Sequence, residues 1–291
     1  MNWEETIYYI RSKPEYAMLV EKAYFDTDLM LNVNRFKDDV EFKETLNLIK
    51  EYAPNAKTIL DIGCGNGIST IAFALNGFEL TAVEPDPSNT IGAGAIRELV
   101  KLNNLKDVNV FEDFAENIKF DSNSFDVVYV RQAMHHAYDL QKFIGECGRV
   151  LKPGGLLLTI RDHVVFNKKD KEWFLEMHPL QKFYGGENAF SPMEYKEAMN
   201  MAGLKVAREI KYYDSAINFS PNTQVMIDEK FKELTSLRFK NLASKIGFLG
   251  KLNLVKFIYT KYLDFKNVAV LDETMVPGRM YSYVCVKKCK Y

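Results

Sequence analysis

The run Thr58-Ile59-Leu60-Asp61-Ile62-Gly63-Cys64-Gly65-Asn66-Gly67-Ile68 decides how this chain of 291 residues is read. It opens as a short apolar strand, passes through three alternating glycines, and continues into a segment of helical character at residues 68–76. Glycine removes the Cβ where a ligand must approach the backbone, and the helix that follows offers unpaired N–H groups. Strand, glycine turn and helix in this order form a cofactor-binding signal that dinucleotide-dependent enzymes share, so spacing has to discriminate. The dehydrogenase pattern G-x-G-x-x-G puts its third glycine at position 68, where Ile68 stands; here the third glycine is Gly67. Asp61 lies two residues before the first glycine, where its carboxylate can accept from a ligand's ammonium group or from loop N–H groups. Glu84 follows Gly63 by 21 residues, at the end of the next expected strand, the place of an acid that holds ribose hydroxyls.

Outward from this turn the pattern alternates. Residues 79–84, 108–112, 125–130 and 156–160 read as strands, with helices at 91–103 and 141–151, the second ending at Lys152-Pro153-Gly154-Gly155. Such alternation implies parallel β-α-β units with right-handed crossovers. Ser191-Pro192-Met193-Glu194 has the form of a capped helix start, and that helix stops at Gly203. Further strands are expected at 204–212 and 280–287. The expected fold is α/β: a doubly wound, mostly parallel, seven-stranded sheet with N-terminal helices and a helical insertion before the last strand. Its divisions are an N-terminal helical segment 1–56, a core 57–214, a helical insertion or lid 215–272, and a last strand 273–291 completing the sheet. Val40, Phe42, Leu46 and Ile49 mark the inward face of the last N-terminal helix. In the insertion, Phe231, Leu234, Leu237, Leu242, Ile246, Phe248 and Leu249 form a stripe read as core or oligomer contact.

Composition narrows the function. Hydrophobic residues make up 47% and charged residues 26%, which suits a sizeable buried core. With 38 basic and 39 acidic residues there is no global pull toward nucleic-acid phosphates. Cys64, Cys147, Cys285 and Cys289 show no metal-ligand spacing and read as reduced thiols. The acidic start Met1-Asn2-Trp3-Glu4-Glu5 is unlike a signal peptide, and no long apolar run follows. A cytoplasmic protein without membrane or nucleic-acid partners, monomeric or homodimeric, is expected.

Several segments in order resemble the class I S-adenosylmethionine-dependent methyltransferases. Residues 60–67 look like their first motif. Ser124-Phe125-Asp126-Val127-Val128, Met134-His135-His136 and Arg149-Val150-Leu151-Lys152-Pro153-Gly154-Gly155 look like later ones, over about residues 40–165. The resemblance implies S-adenosylmethionine as cofactor. Asp61, Gly63, Gly65 and Gly67 would face its methionine part and Glu84 its ribose. Asp113 or Phe114 would face the adenine, where the usual Gly-Asp-Ala-Glu is replaced by Asp113-Phe114-Ala115-Glu116. The family pairs its last strands as an antiparallel hairpin at the sheet edge.

Reacting groups in open α/β sheets gather at the carboxyl ends of strands. All four histidines lie between residues 135 and 178, so imidazoles collect at that end. His163 and His136 are the candidate bases for a hydroxyl acceptor. His135, His178 and Tyr184, the last two in a Gly-Gly-containing run at 178–188 with the form of a lid, are candidate acceptor contacts. Arg131 and Arg161 end strands, where a guanidinium can grip an anion, Arg131 on the cofactor side and Arg161 on the acceptor side. Their alternative is an ion pair with Asp126, Asp162 or Glu187. No metal is expected. The chain lacks the Asn/Asp-Pro-Pro-Tyr signature of amino-group DNA methyltransferases. The expected activity is methylation of a small polar acceptor, at oxygen. Residues 161–164 and 184–189 faintly resemble methyltransferases of bacterial surface-polysaccharide clusters, which implies a sugar or a capsular group such as phosphoramidate as acceptor. A non-catalytic binding module and a protein or RNA methyltransferase are the competing readings.

Overall fold

A computed structural model describes residues 1–247, 252–262 and 273–289. Its centre is a seven-stranded sheet of β1 (Thr58–Ile62), β2 (Glu79–Val83), β3 (Val108–Phe111), β4 (Phe125–Arg131), β5 (Leu151–His163), β6 (Leu204–Ile210) and β7 (Met280–Lys287), in the order β3-β2-β1-β4-β5-β7-β6. The first five strands are mutually parallel, and β7 runs antiparallel to both β5 and β6. The order reverses at β1, and the glycine turn leaves the sheet there.

Side chains alternate across a strand, so the central strands feed two cores. Leu60, Ile62, Val128, Val130 and Leu157 pack on one face with Phe143, Ile144 and Cys147. Ile59, Val127, Tyr129, Leu156, Leu158 and Ile160 pack on the other with Phe36, Phe42, Ile71 and Phe73. Near-continuous apolar strands are what a sheet covered on both faces requires.

Helices supply those covers. The N-terminal set is α1 (Trp3–Arg11), α2 (Ala17–Lys22), α3 (Leu29–Asp38) and α4 (Val40–Tyr52); α5 (Ile68–Leu75), α6 (Ala93–Leu102) and α7 (Leu140–Val150) connect the parallel strands. The α4 helix is capped by Asp39 and buries Glu41, Phe42, Thr45, Leu48 and Ile49. Val40, expected on that face, is 49% exposed because it occupies the first helical position and points away. After β5 come α8 (Lys168–Met177), α9 (Gln181–Tyr184) and α10 (Pro192–Met201); Ser191 forms a full capping box with Glu194 at the start of α10. Between β6 and β7 lie α11 (Ala216–Phe219), α12 (Gln224–Ile246) and α13 (Asn253–Tyr262).

Two expectations change here. The fifth strand begins at Leu151, not 156, since Leu151 pairs with Phe125 before the register shifts and Gly154 turns at φ 76°. In α12 the buried residues are Ile227, Phe231 and Phe239, whereas Leu237 is 54% exposed. Phe248 and Leu249 lie outside the described residues. Among the described residues no helix is long and apolar enough to cross a membrane.

Candidate active site

The glycine turn is built as its sequence requires. Gly63, Gly65 and Gly67 all have left-handed φ, at 65°, 54° and 82°, a region that costs other residues about 1–2 kcal/mol. A Cβ on Gly63 would stand 2.5 Å from the Ala133 Cβ, and one on Gly67 2.8 Å from Ile96 Cγ1. Next to Gly65 the nearest atom is the Ile91 carbonyl oxygen at 3.7 Å, so space beside it is open.

Glu84 directly follows the last residue of β2. Its carboxylate accepts from the Gly65 N–H at 2.7 Å and from the Asp86 N–H at 3.0 Å. Burial pushes this carboxyl up to about 7 against those two hydrogen bonds. Asp61 is fully buried beneath the turn, where Ser69 and Thr70 hydroxyls both donate to Oδ2 at 2.7 Å. Its Oδ1 is buried with no hydrogen-bond partner, and burial pushes the group up to about 6. Asp113 pairs with Lys119 at 2.8 Å, and the neighbouring Phe114 is 56% exposed beside the Tyr138 ring.

The segment after β4 abuts this turn. Gln132 adopts φ 49°, Ala133 fills the space left by Gly63, and His135 and His136 follow in a 3-10 turn. The next strand bends as well: Arg161 takes φ 60° where β5 slips register against β7, and Asp162 is fully buried. The Asp162 carboxylate accepts from the His135 backbone N–H at 3.1 Å and lies 3.0 Å from its Nδ1. On the other side of the ring, His135 Nε2 is 3.6 Å from Glu187 Oε2. Burial works against a charge on His135, but the two carboxylates outweigh it and push the imidazole up to about 9. The reverse holds for Glu187, which its histidine neighbours drive well below the usual carboxylate range despite burial.

The other histidines stand around this pair. His163 stacks edge-on against His135 with centroids 4.8 Å apart, and its Nδ1 is 2.7 Å from the Gly278 carbonyl. A carbonyl can only accept, so Nδ1 carries the proton and Nε2 keeps its lone pair. Burial and the charge on His135 hold His163 well below the usual histidine range. His136 is exposed, with Nδ1 3.1 Å from the Gly186 carbonyl. His178 Nδ1 lies 3.4 Å from Glu187 Oε1, which also accepts from the Tyr184 hydroxyl. One ring nitrogen from each of His135 and His136 and one Glu187 oxygen fall within 4.8 Å of one another.

Neither arginine takes the partners weighed from sequence. Arg131 forms a two-pronged pair with Glu41, at 2.5 and 3.0 Å, and Arg161 Nη1 lies 3.3 Å from the same carboxylate. Arg161 also donates to the Ser220 carbonyl at 2.8 Å. Asp126 instead pairs with Lys152, and Asp162 and Glu187 serve histidines. Sequence reading missed Glu41, because its partners Arg131 and Arg161 are distant in sequence and no local pattern marks the pair.

The N-terminus closes one side. Asn66 donates to the Tyr24 carbonyl at 2.7 Å, and Thr90 to Glu4 at 2.7 Å. The α9 segment packs on α1, with the Tyr184 and Trp3 rings 4.6 Å apart and Leu180 in one cluster with Ile7, Ile10 and Ile91.

Comparisons with known proteins bear on the family and the fold. Residues 60–159 match a methyltransferase domain family. An uncharacterized methyltransferase of Bacillus subtilis, YcgJ, is 30% identical over 149 residues, covering 47% of this chain and 54% of that protein. A ubiquinone biosynthesis O-methyltransferase of Proteus mirabilis is 30% identical over 139 residues, covering 45% and 51%. This chain thus spans about half the length of these curated relatives. The crystal structure of YcgJ superimposes with a TM-score of 0.53 at 18% identity, over 85% of this chain and all of that one. A geranyl diphosphate C-methyltransferase of Streptomyces coelicolor does so with a TM-score of 0.55 at 14% identity, over 84% and 76%. At such identities the superpositions establish the fold.

Proposed function

We propose that this chain, which belongs to the class I S-adenosylmethionine-dependent methyltransferases, transfers a methyl group to a hydroxyl oxygen of a small polar acceptor. The observation that carries the reading is the contact of Ala133 with Gly63: it seats the histidine segment directly against the donor turn.

The donor site fits its cofactor on this chain's own features. Three left-handed glycines leave the backbone open, Asp61 Oδ1 is a buried acceptor without a partner, and Glu84 directly follows the neighbouring strand. Gly63, Gly65 and Gly67 with Asp61 would hold the methionine part, Glu84 the ribose, and Asp113 or Phe114 the adenine. Arg131 acts behind them, fixing the end of β4 through Glu41. S-adenosylmethionine, when bound, would supply the sulfonium methyl group, whose carbon the acceptor oxygen attacks in line as the bond to sulfur breaks and S-adenosylhomocysteine leaves.

The chain's own part is to place that oxygen and remove its proton. His163 is the proposed proton acceptor, through the Nε2 lone pair that its Gly278 hydrogen bond leaves free; His136 is the second candidate. His135, His178 and Tyr184 line the acceptor side, and Arg161 stiffens the bend that carries Asp162. Polar imidazoles and carboxylates suit a hydroxyl compound, and sugars or surface-glycan precursors are the acceptors we place first.

Calorimetric titration with S-adenosylmethionine and S-adenosylhomocysteine, with NAD as control, tests the donor. Release of S-adenosylhomocysteine across a panel of sugars, sugar phosphates and phenols then tests the acceptor. Binding of NAD alone would overturn the class, and turnover only with protein or RNA would overturn the small acceptor.

A further inference from the structure

We propose that His135, His136 and Glu187 form a binding site for one divalent first-row transition-metal ion, with an open coordination position for the acceptor oxygen. The metal site stands on its own residues; only the role of the open position rests on the methyl-transfer reading.

Three observations support it. First, the donor set is right: two imidazoles and a carboxylate, their ligand atoms within 4.8 Å of one another. Bonds of about 2.1 Å in tetrahedral geometry place ligand atoms roughly 3.4 Å apart, so a modest inward movement completes the site. His135 Nε2 and Glu187 Oε2 already stand 3.6 Å apart, too far to hydrogen-bond and close to the spacing an ion needs.

Second, Glu187 Oε2 is buried with no hydrogen-bond partner, on a side chain only 4% exposed. A buried carboxylate oxygen that faces an imidazole nitrogen at 3.6 Å without a hydrogen bond leaves room for an ion between the two.

Third, both rings are oriented from behind as metal-bound histidines are. His135 Nδ1 faces Asp162 at 3.0 Å, and His136 Nδ1 faces the Gly186 carbonyl at 3.1 Å. Each contact favours a proton on Nδ1 and an Nε2 lone pair for the ion, and in His135 that nitrogen is the one facing Glu187. Charge agrees. Among the described residues, the ion pairs of Asp162 and Glu187 are to histidines alone, so a divalent ion at His135 would take the place of the proton that these two carboxylates otherwise hold there.

Three protein ligands leave a fourth position, as catalytic sites do and closed structural sites do not. His136 is exposed, so the cluster borders solvent on that side. An ion there acidifies a bound hydroxyl and holds its oxygen in place, lightening the task of the base.

The full chain, stripped with chelator, is titrated with Co²⁺ and followed by visible absorption, with Zn²⁺ as competitor. One saturable equivalent is expected, displaced by Zn²⁺. Glu187→Gln and Asp162→Asn should each weaken it by about tenfold or more. S-adenosylhomocysteine affinity, measured on the same samples, should stay at the wild-type value and report an intact fold. Where a buried variant unfolds, the exposed His136→Ala gives the same readout. No saturable Co²⁺ uptake by the wild type, or equal uptake by Glu187→Gln and His136→Ala, would overturn the site. Co²⁺ uptake without S-adenosylhomocysteine binding would leave the metal site standing and remove the donor reading alone.

Discussion

Acidification is expected to weaken donor binding through Glu84. The carboxyl is 7% exposed, and burial lifts it from its ordinary 4.5 to about 7, although the N–H groups of Asp86 and Gly65 pull the other way. Ribose hydroxyls donate to an ionised carboxylate, so a proton on Glu84 competes with the donor. The apparent affinity then falls about twofold at pH 7, roughly tenfold at pH 6 and about 30-fold at pH 5.5, relative to the alkaline plateau. Asp61, lifted to about 6 by burial, steepens the fall below that pH.

Without donor, the same group acts on stability with a definite sign. Its folded value lies above its unfolded value, so between pH 4.5 and 7 the folded chain holds more protons. Its contribution is complete below the unfolded value and is lost as pH rises through the folded one, about 3 kcal/mol in all. The thermal shift produced by donor should therefore grow from pH 5.5 to pH 8. Calorimetric titration with S-adenosylhomocysteine over that range, on wild type and Glu84→Gln, is the assay. The variant should bind weakly and lose the dependence between pH 6 and 8. A flat wild-type profile, or a variant with wild-type slope and affinity, would refute the reasoning.

Three further outcomes are expected. Gly65→Val should reduce donor affinity at least about 100-fold with the chain folded, since only the Ile91 carbonyl lies near its Cβ and the left-handed φ costs about 1–2 kcal/mol; Gly63→Ala, which collides with Ala133, should instead lower stability by about 2–4 kcal/mol. Circular-dichroism melts beside calorimetry separate the two, and normal donor affinity in Gly65→Val would sink the site. Glu41→Gln strands Arg131 and Arg161 next to a neutral amide and should cost about 3–5 kcal/mol, seen as a fall in Tm of roughly 10 °C; an unchanged Tm would show the trio to be energetically idle. His163→Gln should cut kcat about 100-fold or more while S-adenosylhomocysteine affinity holds, and unchanged turnover would move the base to His136 or remove it.

The strand, turn and helix of the proposed donor half were legible because their residues are contiguous or locally spaced. The run 58–68 states strand, turn and helix in its own order of residue types, and Glu84 is reached by counting along one β-α-β unit. The acceptor half depends on contacts that no local pattern encodes. Glu187 meets His135 across 52 positions, and Arg131 meets Glu41 across 90. The sequence marked each as polar near a strand end, but not which acid would face which base. Glu41 was hidden because an acid on an amphipathic helix is ordinarily solvated, and nothing local says that two guanidiniums wait beneath it. Leu237 and Val40 were misplaced for the converse reason: apolar residues near a helical stripe are not bound to face inward.

Two strained residues show how the halves are joined. Gln132 and Arg161 are not glycines, yet both hold left-handed φ at the carboxyl ends of β4 and β5, a conformation costing about 1–2 kcal/mol apiece. Such strain persists only where surroundings enforce it. At Gln132 the backbone N–H donates to the Ile160 carbonyl at 2.9 Å, and the turn brings Ala133 against Gly63. At Arg161 the N–H donates to the Ser282 hydroxyl at 3.0 Å, and the bend delivers Asp162 to His135. The glycine that opens the donor turn therefore also admits the segment bearing the histidines. Any movement of that turn on donor binding must be felt at Ala133, and through it at His135, two residues on. Gly63→Ala thus tests more than stability: in a variant that stays folded, the His135–Asp162 contact should loosen, and histidine ring resonances should shift although no histidine has been altered. If they do not, the two halves are neighbours without being coupled.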